Sequence, residues 1–287
     1  MAMSHAATIV TIVDDDTENV AAVSSVREIA DAYGVKVTFA TIARNVEKDS
    51  GLASCLRDCQ AAGHEIASHS YSHSPFVWSR QIRATNQTDR MEQDLVRAHA
   101  VLTNAGLRVS TFVYPYGNFK GQAYRSSIIS MASSHYPIAL NSRGGDNRKD
   151  STHFQYVGRF PMRSHDNFTM VARFLRNASS NGDNWLVLLT HSGKSSFSAK
   201  DLESAIKICK SSGCIFATAG EAVKMLKERG WHSIPDSATT EKSTVDELID
   251  FVEFHLIYVV AAILLLFTTI ASFVFLAKFY SLINHRK

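Results

Sequence analysis

Apolar positions along most of the chain recur in two alternating periods, short β-branched runs and helical stripes. Thr8–Val13 (TIVTIV) is a β-branched run that ends in three aspartates, as a buried strand does on entering a polar loop. Val20–Tyr33 follows with Val20, Val23, Val26, Ile29 and Ala30 at helical spacing, and Gly34 ends it as a C′ glycine. Val35–Ile42 (VKVTFATI) predicts a second strand, Leu52–Ala62 a helix closed by Gly63, and His64–Ser68 a strand leading into His69. Met91–Ala105 predicts a helix closed by Gly106, and Val109–Val113 a strand running into YPYG. Further elements are a helix over Phe168–Ala178, a strand over Trp185–Leu189, a helix over Asp201–Ser211, a strand over Cys214–Thr218 and a helix over Ala219–Arg229.

Strands alternating with helices imply a parallel α/β architecture, because parallel strands need crossover connections. About seven such units can be read, fewer than a full eightfold barrel needs. Asp14–Asp16, His69–His73, Tyr114–Tyr116 and His191 all fall at predicted strand ends, where parallel barrels carry their chemistry.

The last quarter of the chain has a different pattern. Residues 256–277 (LIYVVAAILLLFTTIASFVFLA) are uncharged throughout and would make a helix of about 33 Å, enough to cross a hydrocarbon core of about 30 Å. Tyr258, Lys278 and Tyr280 suit its interfacial ends. The expected organisation is therefore a folded domain over 1–232, which holds all the candidate chemistry, a polar linker over 233–255, a transmembrane helix over 256–277 and a short basic tail over 278–287. That makes a single-pass membrane protein with the lipid bilayer as a partner. Its orientation stays open: no basic n-region precedes an apolar stretch at the N-terminus, while Lys278, Arg286 and Lys287 favour an inside tail.

Charge and cysteines change the picture little. A formal net charge of +3, with basic residues scattered among acidic ones, gives no nucleic-acid footprint. Cys55 and Cys59 stack on one helix face as free thiols, and Cys209 and Cys214 flank a turn that a disulfide could span only in an oxidising compartment.

The candidate chemistry lies in His69 and His73 with the aspartates of Asp14–Asp16. Two imidazoles four residues apart, on a helix or compact turn, can point at one ion. One added carboxylate leaves coordination positions free for water and a substrate oxygen, as in a hydrolytic site. Adjacent aspartates at a strand end could divide the work, one on the metal and one on the attacking water, while Asp16 or Thr17 could instead cap the next helix.

These segments resemble the polysaccharide deacetylases of carbohydrate esterase family 4. IVDDD sits at the family's T-F-D-D-G segment, AAGHEIASHSYSH matches G-H-E-I-x-x-H-[ST]-x-x-H, FVYPYG matches the third motif and LVLLTHSG the last. The resemblance implies a distorted (β/α) barrel of about seven parallel strands. It implies Asp14 as general base, Asp15, His69 and His73 as metal ligands, and His191 as general acid. Pro115 and Tyr116 would bind substrate, Tyr116 through its backbone N–H on the oxyanion, and Leu189 would line the acetyl pocket. The implied cofactor is one divalent metal ion, zinc first, with cobalt, nickel or manganese also suited to the ligand set. The implied reaction releases acetate from an N-acetylated glycan of N-acetylglucosamine type; a non-sugar amide substrate, or a catalytically weak glycan binder, is the alternative. Val13 and Asp16 depart from the motif's aromatic and glycine, and the arginine that orients the base is missing ahead of Pro115. Arg159 or Arg163 could replace that arginine from a neighbouring strand. No Asp-Trp support for His191 is recognisable, Trp78 and Trp185 reading as core or groove aromatics.

Overall fold

A computed structural model describes residues 7–74, 86–117, 122–142, 144–162, 167–178 and 184–234. Its elements run β1 (Ile9–Thr17), α1 (Val20–Ala32), β2 (Val37–Thr41), α2 (Ala43–Lys48), α3 (Ser50–Ala61), β3 (Glu65–Ser68), α4 (Asn86–Asn104), β4 (Thr111–Val113) and α5 (Gln122–His135). They continue with β5 (Ile138–Leu140), β6 (Asp146–Arg148), β7 (Phe160–Pro161), α6 (Asn167–Ala178), β8 (Asn184–Thr190), α7 (Ala199–Ser211), β9 (Ile215–Phe216) and α8 (Ala219–Glu228). One nine-stranded sheet has the order β5-β4-β3-β2-β1-β8-β6, with β7 joined to β8 and β9 to β1.

The α/β class expected from the alternating pattern is present, with two corrections. The sheet is mixed, because β6 pairs antiparallel with β8. It is also a curled half-barrel and not a barrel: its path ends at β5 and β6, which do not pair among the described residues. The strands missed in the sequence (β5, β6 and β7) have two or three residues each, too short to show a period.

Alternation along β1 sets the two faces. Val10 and Ile12 pack outward with Val23 and Val26 of α1, Leu52 and Leu56 of α3, and Leu202 and Ile206 of α7. Ile9 and Val13 point inward with Ala40, Ala67, Val113 and Val187. The small residues Ala40 and Ala67 narrow this inner face, and Val223 and Leu226 of α8 complete its packing. Glu65 ties α8 to the sheet, accepting from Thr38 Oγ1 (3.0 Å), Thr111 Oγ1 (2.5 Å) and the Gly220 amide (3.0 Å). His64, its neighbour in GHEI, accepts from the Val37 amide at 3.1 Å and faces Asp31 at 3.2 Å. Half of that motif is therefore structural, and the chemistry starts at His69.

The four cysteines are unpaired. Trp185 is a core residue, buried and donating from Nε1 to Thr11 Oγ1 at 2.9 Å. Among the described residues no helix is long and apolar enough to cross a membrane. The expected span 256–277, the tail 278–287, nearly all of the linker, Trp78 and Arg163 lie outside the described residues.

Candidate active site

The site begins with an irregularity at the end of β1. Its register with β2 runs from Asp14 opposite Phe39 to Thr17 opposite Thr41, so Asp15 and Asp16 together oppose Ala40. Two residues against one is a β-bulge, which re-aims the side chains it carries. Asp16 takes a left-handed backbone, φ 53°, and the Thr17 hydroxyl pins the far side by donating to the Ala40 carbonyl at 2.8 Å. Asp14 keeps the outward alternation of Val10 and Ile12, Asp15 keeps the inward alternation of Ile9 and Val13, and Asp16 leaves the alternation. Three consecutive carboxylates thus acquire three different surroundings.

Asp16 is the aspartate that meets the histidines. Its Oδ1 lies 2.9 Å from His73 Nε2 and 3.3 Å from His69 Nε2. These three residues form a group whose potential ligand atoms all lie within 4.8 Å of one another. The expected set had Asp15 in this place; Asp15 comes no closer than 3.9 Å to His69 Nε2 and makes its bond elsewhere. The β-bulge turns Asp16, and not Asp15, towards the histidines. Burial would raise the Asp16 carboxyl, but the two imidazoles hold it well below the usual carboxylate range.

Each histidine is held by backbone geometry. The His69 amide continues the β3 ladder to Thr41 O at 2.9 Å, and its Nδ1 lies 2.7 Å from the Val113 carbonyl. A carbonyl only accepts, so Nδ1 carries the proton and Nε2 is left as the ligand atom. Ser70 and His73 both have positive φ, 64° and 55°, and the Ser70 hydroxyl accepts from the His73 amide at 2.9 Å. His69–His73 is therefore a compact turn and not a helix. Asp94 of α4 braces it by accepting from the amides of Tyr71 (2.6 Å) and Ser72 (3.0 Å) and from the Ser72 hydroxyl. Nothing along α4 distinguishes Asp94 from other helix carboxylates, and sequence reading missed it.

Asp15 faces the other side of the site. Arg159, 1% exposed, donates from Nη1 to Asp15 Oδ1 at 2.6 Å and from Nε to the Asn141 carbonyl. The second oxygen, Asp15 Oδ2, is 4.0 Å from His191 Nε2. Of the two arginines proposed to stand in for the missing one, Arg159 is thus placed on an aspartate of the trio. His191 follows β8 directly and is half-buried; burial pushes its imidazole below the usual value, against the charges of Asp15 and Asp16. Asp14, expected as the base, is fully buried away from this face. It accepts from the Ser192 amide at 2.8 Å and from the Ser192 hydroxyl at 2.5 Å. Burial pushes its carboxyl up to about 7 despite these bonds, with Asp15 and Asp16 adding to the rise.

The remaining expected residues border the same region. Leu189 is buried, opposite Val13 of β1 and Pro161 of β7. Pro115 is buried, and Tyr116 is 56% exposed with its ring centroid 4.8 Å from that of His73. Tyr116 has φ 60° and its carbonyl accepts from the Ser142 hydroxyl at 2.9 Å. Gly117 follows with φ 54°, where an added Cβ would collide with the Ser142 amide. Among the described residues Asp16, Ser70, His73 and Tyr116 are the non-glycine residues with positive φ, and all four surround one site. An open cleft of about 720 Å³ leads to it, bordered by Arg44, Asn45, Ser72, His73, Tyr116 and Lys194. Lys194 reaches Glu18 at 2.5 Å and Asp16 Oδ2 at 3.5 Å.

A family model described as polysaccharide deacetylase matches residues 4–131. No curated protein matches the chain. Similar solved structures include a family 4 acetyl xylan esterase from Clostridium thermocellum in complex with a cobalt ion, at 18% identity and TM-score 0.52, covering 76% of this chain and 91% of that one. They also include the peptidoglycan deacetylase PdaC from Bacillus subtilis, at 15% identity and TM-score 0.50, covering 78% and 94%. A family 4 pseudoenzyme from Bacillus anthracis is similar at 17% identity and TM-score 0.51, covering 75% and 65%. These identities speak for the fold alone; the matched segment includes Asp14, Asp15, Asp16, His69, His73 and Tyr116. Over residues 4–131 the chain matches the polysaccharide deacetylase family.

Proposed function

We propose that the chain removes acetyl groups from N-acetylated sugars of N-acetylglucosamine type, using one divalent metal ion held by Asp16, His69 and His73. The observation that carries this reading is the separation of Asp15 from Asp16: one carboxylate belongs to a two-histidine group, and its neighbour is held apart by Arg159 facing His191. The residues fit a metal. Asp16 Oδ1 is buried without a hydrogen-bond donor while two imidazole Nε2 atoms converge on it. Borderline nitrogen ligands and one carboxylate suit zinc first, with cobalt, nickel and manganese as alternatives. When bound, such an ion acts as a Lewis acid on the acetyl carbonyl and lowers the pKa of water.

The roles of the chain's own groups follow from their positions. Asp15, bonded to Arg159 through Oδ1, accepts the proton of the attacking water at Oδ2, its oxygen free of the guanidinium. His191 Nε2, on the far side of that oxygen, donates a proton to the leaving amine. The Tyr116 amide, in a backbone conformation held by Ser142, supplies a donor for the oxyanion. Leu189 gives the acetyl methyl an apolar wall. The products are acetate and a free amino sugar.

The test is metal analysis together with acetate release from N-acetylglucosamine oligomers by the full chain. Release that disappears with a chelator and in Asp15→Asn is the expected result; undiminished release from Asp15→Asn refutes the assignment. Turnover confined to non-sugar amides would move the substrate class and leave the site in place. A second reading, a glycan binder with little turnover, is supported by the pseudoenzyme fold likeness and by the unassigned Asp-Trp segment. Binding of the oligomers with no acetate release under zinc, cobalt, nickel or manganese would establish it instead. The apolar run 256–277 supports a single-pass membrane anchor for this catalytic domain, and alkaline extraction of membranes tests it.

A further inference from the structure

Three consecutive aspartates end β1, and the proposed reaction uses two. Asp14 is left over, yet it is completely buried, and both of its oxygens are used on one residue. Oδ1 accepts from the Ser192 amide at 2.8 Å and Oδ2 from the Ser192 hydroxyl at 2.5 Å. A carboxylate gripped at both oxygens fixes the orientation of its partner as well as its distance.

The location of the grip matters. The parallel ladder between β1 and β8 ends at Asp14 opposite Thr190, one residue before His191. Beyond it the strand no longer dictates where the chain goes, and the Ser192 amide finds the Asp14 side chain. A turn from the Lys194 amide to the His191 carbonyl at 3.1 Å completes the local path. Among the described residues no side chain hydrogen-bonds the His191 ring; its nearest charged partner is Asp15 at 4.0 Å. The backbone of residues 191 and 192 therefore sets where the imidazole points.

We propose that Asp14 and Ser192 are a positioning pair that sets the placement of His191 relative to Asp15. This rests on the reading of Asp15 as base and His191 as acid. Asp14 and Asp15 share one peptide unit, so the base and the anchor of the acid's loop are built on the same short piece of β1. The outward Asp14 holds the loop from behind while the inward Asp15 faces the reaction. An apolar residue at position 14 would fill the same space and leave the Ser192 amide unanchored.

The experiment uses the full chain in detergent micelles and compares Ser192→Ala, Ser192→Thr and Asp14→Asn with the parent protein. Ser192→Ala should retain metal stoichiometry and hold KM within about twofold, while kcat falls by on the order of tenfold to a hundredfold, as a misplaced catalytic group does. The pH–rate limb set by His191 should move with it. Ser192→Thr, which keeps both donors, should restore kcat and the limb. Asp14→Asn, which loses the acceptor for the hydroxyl, should resemble Ser192→Ala. Unchanged kcat and limb in Ser192→Ala, or a loss that follows loss of metal, overturns the proposal. A second readout does not need turnover: the His191 imidazole resonance, assigned by its disappearance in His191→Gln. It should shift or broaden in Ser192→Ala and recover in Ser192→Thr. If the parent protein releases no acetate from any acetylated glycan, the functional reading fails, while this resonance still decides whether the pair positions His191; an unmoved resonance counts against it.

Discussion

Asp14, Asp15 and Asp16 are chemically identical and differ only in where a bulged strand points them. That predicts three distinct phenotypes. Asp16→Ala should bring bound metal, measured by atomic absorption, close to zero. Asp15→Asn should keep the metal and lose turnover by about 10²–10⁴-fold, the usual contribution of a general base. Equal metal loss in both variants would mean that the two carboxylates share the ion. Asp14 should show a pH signature in metal-free protein. Its folded value, about 7, lies above its ordinary 3.8, so the folded state binds this proton more tightly than the unfolded state. That contribution to stability is complete below the ordinary value and lost as pH rises through the folded one. Asp14→Asn should therefore gain melting temperature over the parent increasingly between about pH 4 and pH 7 in chelator, and level off above that. A difference independent of pH would remove burial of the charge as its cause. The histidines and the aspartate cluster were legible in the sequence because residue type and spacing announce metal chemistry. Their division of labour was not, since no residue marks a bulge.

Among the elements, the turn His69–His73 depends on α4 for its shape. Asp94 contributes to no reaction step, yet it satisfies two amides and one hydroxyl of that turn. Asp94→Ala should weaken metal binding by about 10–100-fold, the scale of lost support behind metal ligands, with secondary structure retained. Competition with a chromophoric chelator measures it, and an unchanged affinity would show that the turn holds itself. The loop after β4 makes a similar demand at Gly117, where a side chain would collide with the Ser142 amide and φ is positive. Gly117→Ala should displace Tyr116 and reduce kcat more than metal affinity, measurable in parallel on one preparation. Long elements with clear periodicity, such as α1, α7 and β8, were legible in the sequence to within a few residues. The six-residue α2 and the strands β5 to β7 were not, because so few residues cannot repeat a period.

At the scale of the molecule, the sheet collects strand ends from far apart in the chain. β1 lies between β2 and β8, which sets Asp15 beside His191, and β3 and β4 follow outward with His69 and Tyr116. Removal of residues 235–287 should leave acetate release and metal content unchanged while abolishing co-sedimentation with membranes. Retained co-sedimentation would assign membrane association to the catalytic domain. By itself the sequence determined the α/β class, the cluster of histidines and aspartates at strand ends, and the apolar run near the C-terminus. Each of these is a matter of residue type and local period. Only the tertiary structure decided that Asp16 and not Asp15 meets the histidines, that Arg159 holds Asp15, and that Asp14 grips Ser192. Those contacts link residues more than a hundred positions apart or depend on one extra residue in a strand. A linear pattern records neither; pairing across the sheet does.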